Sequence, residues 1–490
     1  MHRYKISPFD RDDRIPTLHS MKIKHTVFVS LCALVGLGPA GLAQRKTVSC
    51  WLTNADRSAL FAQQKAPLTF EPANTNNYPV IKVDDRTKYQ PIDGFGFALT
   101  GGSAMHIIRM SATARAALLK KVFATDADNI GVSYLRLSIG ASDLNDHVFS
   151  YDDVPAGSVD LQLKAFDLGP DKVDVIPVLK EILKINPKIM VLGSPWSAPA
   201  WMKSNGDTRG GVLKPEYYQT YANYLVKYIQ AYKAQGISID AITVQNEPLN
   251  PKNNPSMVMQ AHEQADFIKH NLGPTFQSAG IKTKIIVYDH NCDRPDYADS
   301  ILNDKAAARY VDGSGFHLYG GKIEALTDLH NAHPDKNLYF TEQMVIEKDG
   351  SPTINIVNPV RRLFIGATRN WCRNVLEWNL AADAQNQPHT DRGGCPMCQG
   401  AVTIDKDNYT PNIAYYAMAH ASKFVRPGSV RVASTDIDPL PNVAFTAPDG
   451  RKVLIVANVS DKTQGFNIGY NGSMAAASLS SGAVATYVWQ

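Results

Sequence analysis

From residue 94 onward the chain repeats one pattern, a short apolar, β-branched segment followed by a stretch long enough for a helix. The apolar segments fall at 94–99, 132–139, 189–193, 241–244, 284–288, 315–318, 338–340 and 375–378, which makes eight. Between them lie helical patterns such as 215–235, where Tyr218, Tyr221, Leu225, Tyr228 and Ile229 keep helical spacing and Gly236 stops the run. Alternating strands and helices imply a parallel sheet, and eight units predict a closed (β/α)8 TIM barrel, an α/β fold. A hydrophobic content of 44% over 490 residues is enough to fill such a core.

After residue 424 the texture changes to strand and turn at 429–433, 443–447, 452–459 and 483–489, punctuated by Pro448-Asp449-Gly450 and Tyr470-Asn471-Gly472. Residues 68–84 are also strand-like, so both termini are expected to build one all-β side sandwich. The Ala/Ser/Gly-rich tract 473–483 reads as low complexity. The expected division is a leader at 1–43, an N-terminal sandwich segment at 44–90, the barrel at 91–424 and the C-terminal sandwich at 425–490.

Within the leader, Met21-Lys22-Ile23-Lys24 supplies a positive start, 27–37 an apolar run and Gly41-Leu42-Ala43 a small-residue cleavage site. The run is too short to span a bilayer, so export through a signal peptide is expected, to the periplasm or beyond the cell, with no stable membrane insertion. Residues 1–20 have no place upstream of such a segment, and Met21 is read as the initiator. A net charge of +4 with no basic block argues against a nucleic-acid partner.

Removing Cys32 with the leader leaves Cys50, Cys292, Cys372, Cys395 and Cys398, an odd number, so at least one thiol is unpaired within the chain. Cys395-Pro-Met-Cys398 follows Arg392-Gly393-Gly394 in a loop and lacks the strand-to-helix start that activates a redox thiolate. A local disulfide or a packed loop is expected there.

Active sites of such barrels lie at the C-terminal ends of the strands. The fourth expected strand ends Gln245-Asn246-Glu247-Pro248 and the seventh Thr341-Glu342-Gln343, which brings two carboxyl groups to one rim. Hydrolysis of a glycosidic bond needs such a pair, one group to protonate the departing oxygen and one to attack the anomeric carbon or activate water. Either alone could cap a helix. Other strand ends add aromatic faces suited to pyranose rings: Trp196 and Trp201 in a Pro-stiffened loop, His317 and Tyr319 after strand six, Trp378 and Asn379 after strand eight. Arg136 lies in strand two, placed to hydrogen-bond a carboxylate and hold its charge. A non-catalytic carbohydrate-binding protein on the same scaffold is the alternative, but it would be expected to have lost one of the two acids.

These residues resemble glycoside hydrolase family 30, which includes acid glucosylceramidase and microbial β-1,6-glucanases. The resemblance rests on Asp93-Gly-Phe-Gly-Phe-Ala-Leu-Thr100, Pro195-Trp-Ser-Ala-Pro199, Trp201-Met-Lys-Ser-Asn-Gly206, Asn246-Glu247-Pro248, Phe316-His-Leu-Tyr319 and Glu377-Trp-Asn-Leu380. It implies a retaining mechanism with Glu342 as nucleophile and Glu247 as acid/base. Asn246 would hold the sugar 2-hydroxyl, Trp196, Tyr319 and Trp378 would line the subsite, and His317 would stand beside the nucleophile. It implies no metal or organic cofactor. The glucosylceramidase pattern has an Asp after the residue matching Thr100, where Gly101-Gly102-Ser103 stands here. With the Cys395–Cys398 loop, this departure looks more like the bacterial β-1,6-glucanase branch, so a β-glucan is expected rather than a lipid glucoside or a xylan.

Overall fold

The computed structural model describes residues 46–72, 76–347 and 350–490, so the expected leader lies outside the described residues. Eight parallel strands close into a barrel in chain order: β1 (Gly94–Ala98), β2 (Tyr134–Ile139), β3 (Met190–Pro195), β4 (Ala241–Thr243), β5 (Lys284–Cys292), β6 (Val311–Gly321), β7 (Asn337–Glu342) and β8 (Cys372–Glu377). All eight expected segments are strands of this barrel, and β6 pairs with β7, β7 with β8 and β8 with β1 to complete the ring.

Strand periodicity explains how the barrel builds its site. Tyr134, Leu192, Ala241, Ile286, Tyr339 and Leu376 form one apolar cluster, the filled interior layer. Two residues further along each strand the side chain points inward again, one layer nearer the C-terminal mouth. That next layer is Arg136, Ser194, Thr243, Thr341 and Trp378, and it is polar and aromatic. On β5 the count breaks: Gly315 of β6 pairs with Tyr288 and Phe316 with His290, leaving Asp289 as an extra residue. Tyr288 and Asp289 sit at φ 71 and 68, and this bulge turns Asp289 inward.

The second body is a ten-stranded sheet arrangement drawn from both ends of the described chain. Its long path runs Thr47–Thr53, Val484–Trp489, Lys452–Ala457, Asn442–Thr446, Val430–Ser434, Val80–Pro91, Gln464–Tyr470 and Ser473–Leu479. The segment expected at 68–84 divides into Leu68–Thr69 and the start of Val80–Pro91. The Ala/Ser/Gly-rich tract 473–483, given no structure from its composition, holds the strand Ser473–Leu479, with Ala475, Ala477 and Leu479 turned into the sandwich core. It lacks the β-branched residues that would have announced it, and its small side chains suit close packing. Thr47–Thr53, within the sandwich segment expected at 44–90 but not named there as a strand, pairs five of its residues with Val484–Trp489.

His420, in helix Ile413–Ser422, ties the barrel to this sandwich. Its Nε2 lies 2.8 Å from Thr53 Oγ1 and its Nδ1 2.9 Å from Thr486 Oγ1. Burial pushes the imidazole down to about 3. The unfolded chain binds a proton at this histidine near its ordinary value of 6.5, and the folded chain does not. Stability from this group is therefore complete above pH 6.5 and is lost as pH falls toward 3, with a slope of up to ~1.4 kcal/mol per pH unit. Urea melts at pH 7 and pH 5 should show a smaller acid loss in His420→Gln than in wild type.

Candidate active site

Arg136 is the hub of the layer above the apolar interior. It is 1% exposed, and its Nη2 donates to Asp289 Oδ2 at 2.9 Å, Asn246 Oδ1 at 2.7 Å and Ser194 Oγ at 3.2 Å. Its Nη1 donates to Glu342 Oε2. The guanidinium carbon also lies 4.8 Å from the ring centre of Trp196 and 5.8 Å from that of Trp378. A planar fork with five donors can serve this many acceptors, and a lysine cannot. Arg136→Met would leave Asp289 and Glu342 buried without their counter-charge. It is expected to cost about 3–5 kcal/mol, read as a lower urea midpoint, with Arg136→Lys recovering only part.

Glu342 ends β7 and Glu247 follows β4, and both are buried, at 6% and 8% exposure. One carboxylate oxygen of each, together with a ring nitrogen of His317, lie within 4.8 Å of one another. The Tyr319 hydroxyl donates to Glu342 Oε1 at 3.1 Å, and Asn250 Nδ2 donates to Glu247 Oε2 at 2.7 Å. Glu247 is held at φ 44, in the left-handed region that non-glycine residues seldom occupy. Hydrogen bonds at 2.9 Å from its N–H to Asp289 O and from Asn250 N–H to its carbonyl fix it there.

The protons follow from these contacts. Asp289 accepts from Arg136, from Ser194 Oγ at 2.8 Å and from Thr341 Oγ1 at 2.6 Å, and it faces His317 Nε2 at 3.1 Å. Burial would raise it, but these partners hold its carboxyl well below the usual range. His317 is fully buried, with Nδ1 3.2 Å from Glu247 Oε1 and 3.8 Å from Glu342 Oε1. Burial alone would lower its imidazole, yet Glu342, Asp289 and Glu247 lift it to about 9. Glu247 shows the converse: burial raises it, and His317, His290 and Asn250 outweigh that and bring it down to about 2. The proton between them therefore rests on His317, with Glu247 as its ionised hydrogen-bond partner. Glu342 is raised by burial and by Glu247, against the pull of His317 and Arg136. His317 was expected beside Glu342, but it stands nearer Glu247. Among the described residues, Glu247, His317 and Glu342 are also the one trio spaced to hold a metal ion. Both His317 nitrogens face carboxylates and Arg136 already neutralises Glu342, so hydrogen bonding accounts for the grouping.

These groups open into a cleft of about 460 Å³ lined by Glu247, Glu342, Tyr319, Trp378, His290 and Asp143, among others. Trp378 forms a wall, whereas Trp196 is not among the lining residues. It is 2% exposed and stacks against Trp378 at 5.3 Å and 25°, so its role is to back the ring in front. Trp201 is outside the site, with its Nε1 donating to the Asp152 carbonyl at 3.0 Å. Asn246, its Oδ1 engaged by Arg136, adjoins Glu247, and Asn379 Oδ1 accepts from Ser103 Oγ at 3.1 Å while its buried Nδ2 has no partner.

Asp143, Asp289 and His290 were missed in the sequence. The last two lie within β5, just past the expected apolar segment 284–288, where the same strand-end rule that found Glu247 applies, and Asp143 lies in the loop after β2. Burial, then Glu342, then Glu247 push the Asp143 carboxyl up to about 8. At the Gly101-Gly102 departure the backbone packs closely, and a Cβ on Gly101 would come 2.0 Å from Asn145 Nδ2.

Two buried carboxyl groups facing each other at the mouth of a (β/α)8 barrel, beside an aromatic wall, define a glycoside hydrolase. The family model described as the glycosyl hydrolase family 30 TIM-barrel domain matches residues 92–425, and that family's beta sandwich domain matches 428–487. The chain belongs to glycoside hydrolase family 30 and acts on a carbohydrate substrate. An endo-1,6-beta-D-glucanase of Aspergillus fumigatus is 34% identical over 463 residues, covering 88% of this chain and 92% of that one. The lysosomal acid glucosylceramidase of Mus musculus is 29% identical, covering 84% and 83%. Among solved structures, the endo-beta1,6-glucanase BT3312 superposes with a TM-score of 0.83 at 33% identity, over 90% of this chain and 99% of that one.

Proposed function

We propose that the chain is a retaining endo-β-1,6-glucanase in which Glu342 is the nucleophile and Glu247 the acid/base. The observation that carries this reading is that one oxygen of each carboxyl group lies within 4.8 Å of the other. Retaining enzymes need about 5–5.5 Å between carboxyl groups, and inverting enzymes leave room for a water at about 6.5–9.5 Å. Glu342 attacks the anomeric carbon and forms a glycosyl-enzyme, while Glu247 passes the proton it shares with His317 to the departing sugar oxygen. Glu247 then takes a proton from water, which releases the glycosyl group with its β configuration kept. Asn246 supplies amide donors to the 2-hydroxyl, and Trp378 and Tyr319 line the sugar's path. The β-1,6 linkage follows the relatives of 33–35% identity that bear that activity in their names.

Digestion of β-1,6-glucan, β-1,3-glucan, xylan, an aryl β-glucoside and glucosylceramide tests this reading. Gentiobiose-series products from β-1,6-glucan alone would support it, and turnover of glucosylceramide in place of the glucan would replace it with a lipid-glucoside reading. Export remains part of the proposal, supported by the Met21–Ala43 leader pattern. N-terminal sequencing of the mature protein should find a start just after residue 43.

The proton inventory sets the pH profile. Glu342 must be ionised to attack, and it is raised, so the acid limb of kcat/KM is expected above the ordinary glutamate value of 4.5. The proton shared by His317 and Glu247 is lost near pH 9, which sets the alkaline limb. His317→Asn should move that limb to lower pH, because Glu247 would then hold the proton without a partner.

A further inference from the structure

The aromatic wall is braced by a feature that the hydrolytic steps do not use. Cys395 and Cys398 are joined in a disulfide, and Cys398 is 3% exposed. The pair belongs to a small apolar cluster, separate from both large cores, with Ala98, Leu144, Trp196, Trp378 and Met344. Both cysteines also line the cleft beside Trp378 and Met344.

The loop carrying the disulfide is tied down at points far apart in sequence. Thr390 N donates to Asp143 O at 2.9 Å, Asn254 Nδ2 donates to Asp391 Oδ1 at 3.0 Å, and Arg392 pairs with Asp207 at 2.9 Å. On its far side Ala401 N donates to Asn379 O at 2.8 Å. These anchors flank the Cys395-Pro-Met-Cys398 turn on both sides. Trp378 itself is held by its N–H donating to Gln343 O at 2.9 Å and by the Trp196 ring behind it, and Cys398, its Sγ 3.7 Å from Met344 Sδ, shares their apolar cluster.

We infer that the Cys395–Cys398 disulfide is a positioning device for the sugar-binding wall: it clamps Trp378 against Trp196 and so presents a preformed face to a β-glucan. This rests on the proposed reading that Trp378 meets the sugar. The contact is made in ground state and transition state alike, so loosening it raises KM and leaves kcat nearly unchanged. Loss of folded enzyme does the opposite, lowering apparent kcat at constant KM.

The test is a Cys395→Ser/Cys398→Ser variant beside wild-type enzyme treated with dithiothreitol. Dithiothreitol gives two electrons and two protons to the sulfur pair and leaves as its cyclic disulfide. Among the described residues this is the one disulfide, and Cys50, Cys292 and Cys372 are already thiols. Kinetics are run on β-1,6-gluco-oligosaccharides and on an aryl β-glucoside, with near-ultraviolet circular dichroism reporting the stacked tryptophans. The expected result in both samples is a KM about tenfold higher, the upper range for one aromatic contact. It comes with kcat within about twofold by the same argument and a changed tryptophan signal. An unchanged KM, whatever happens to kcat, overturns the inference. If the variant fails to fold, the dithiothreitol arm decides. Failure of wild type to cleave the β-1,6-linked substrates would sink the glucanase reading instead, and the KM ratio is then taken on the aryl glucoside.

Discussion

Glu342→Gln is expected to lower kcat/KM by about 10⁴-fold or more, the scale of loss when a covalent nucleophile is removed. The amide is nearly the same size, so the fold should survive. Its one amide oxygen can accept from Arg136 Nη1 while its NH2 faces the Tyr319 hydroxyl oxygen, and it has no charge with which to attack the anomeric carbon. Mass spectrometry with a 2-fluoro-glucoside inactivator should show one adduct on wild type at Glu342 and none on the variant. An adduct that persists at another carboxylate would overturn the nucleophile assignment. Retained binding of β-1,6-gluco-oligosaccharides by the variant would separate loss of chemistry from loss of the site.

Glu247→Gln should show a split that no other substitution in the site gives. The departing sugar hydroxyl is a poor leaving group and needs the proton shared by Glu247 and His317, so glucan turnover is expected to fall by about 10²–10⁴-fold. A dinitrophenyl leaving group needs no proton, so glycosyl-enzyme formation from an activated aryl glucoside should be nearly normal. Breakdown of that intermediate then becomes slow, because no base draws a proton from water. A burst followed by slow turnover is the expected signature, with azide accelerating the second phase as a small anion that attacks without a base. Equal losses on both substrates would mean that Glu247 does not act as the acid/base.

The amide also removes the negative charge opposite His317 Nδ1, at 3.2 Å in the wild type. His317 would then lose one of the three carboxylates that lift its imidazole to about 9, and its proton should leave at lower pH. An NMR titration of His317 in Glu247→Gln reads that shift directly.

Much of the site was legible because barrel strands obey a rule of two. Strand ends are marked by where β-branched runs stop, and Glu247 and Glu342 stand just beyond such stops. Arg136 was legible for the opposite reason, as a charge inside an apolar strand that must have found a partner. Asp289 follows the same strand-end rule but was hidden by Tyr288. On regular spacing Tyr288, two residues after Ile286, would point inward, and only the bulge against β6 reverses that. A bulge depends on the neighbouring strand, which no window of one sequence contains.

The tryptophans show the same limit. Trp196, Trp201 and Trp378 have equal aromatic character in sequence, yet one backs the wall, one packs away from the site and one faces the cleft. Their ranking depends on neighbours far away in sequence, such as Cys398, which shares one apolar cluster with Trp196 and Trp378.

By itself, then, the sequence determined the alternation of strands and helices, and with it the barrel and the rim on which two acids meet, because the periods of 2 and 3.6 are written locally in each segment. Only the tertiary structure decided that Arg136 reaches Glu342, Asp289 and Asn246 at once, that His317 shares its proton with Glu247, and that Thr47–Thr53 pairs with Val484–Trp489. Those partners lie tens to hundreds of residues apart. Closure of the barrel and pairing of the chain's two ends bring them together, and both are properties of the packed whole.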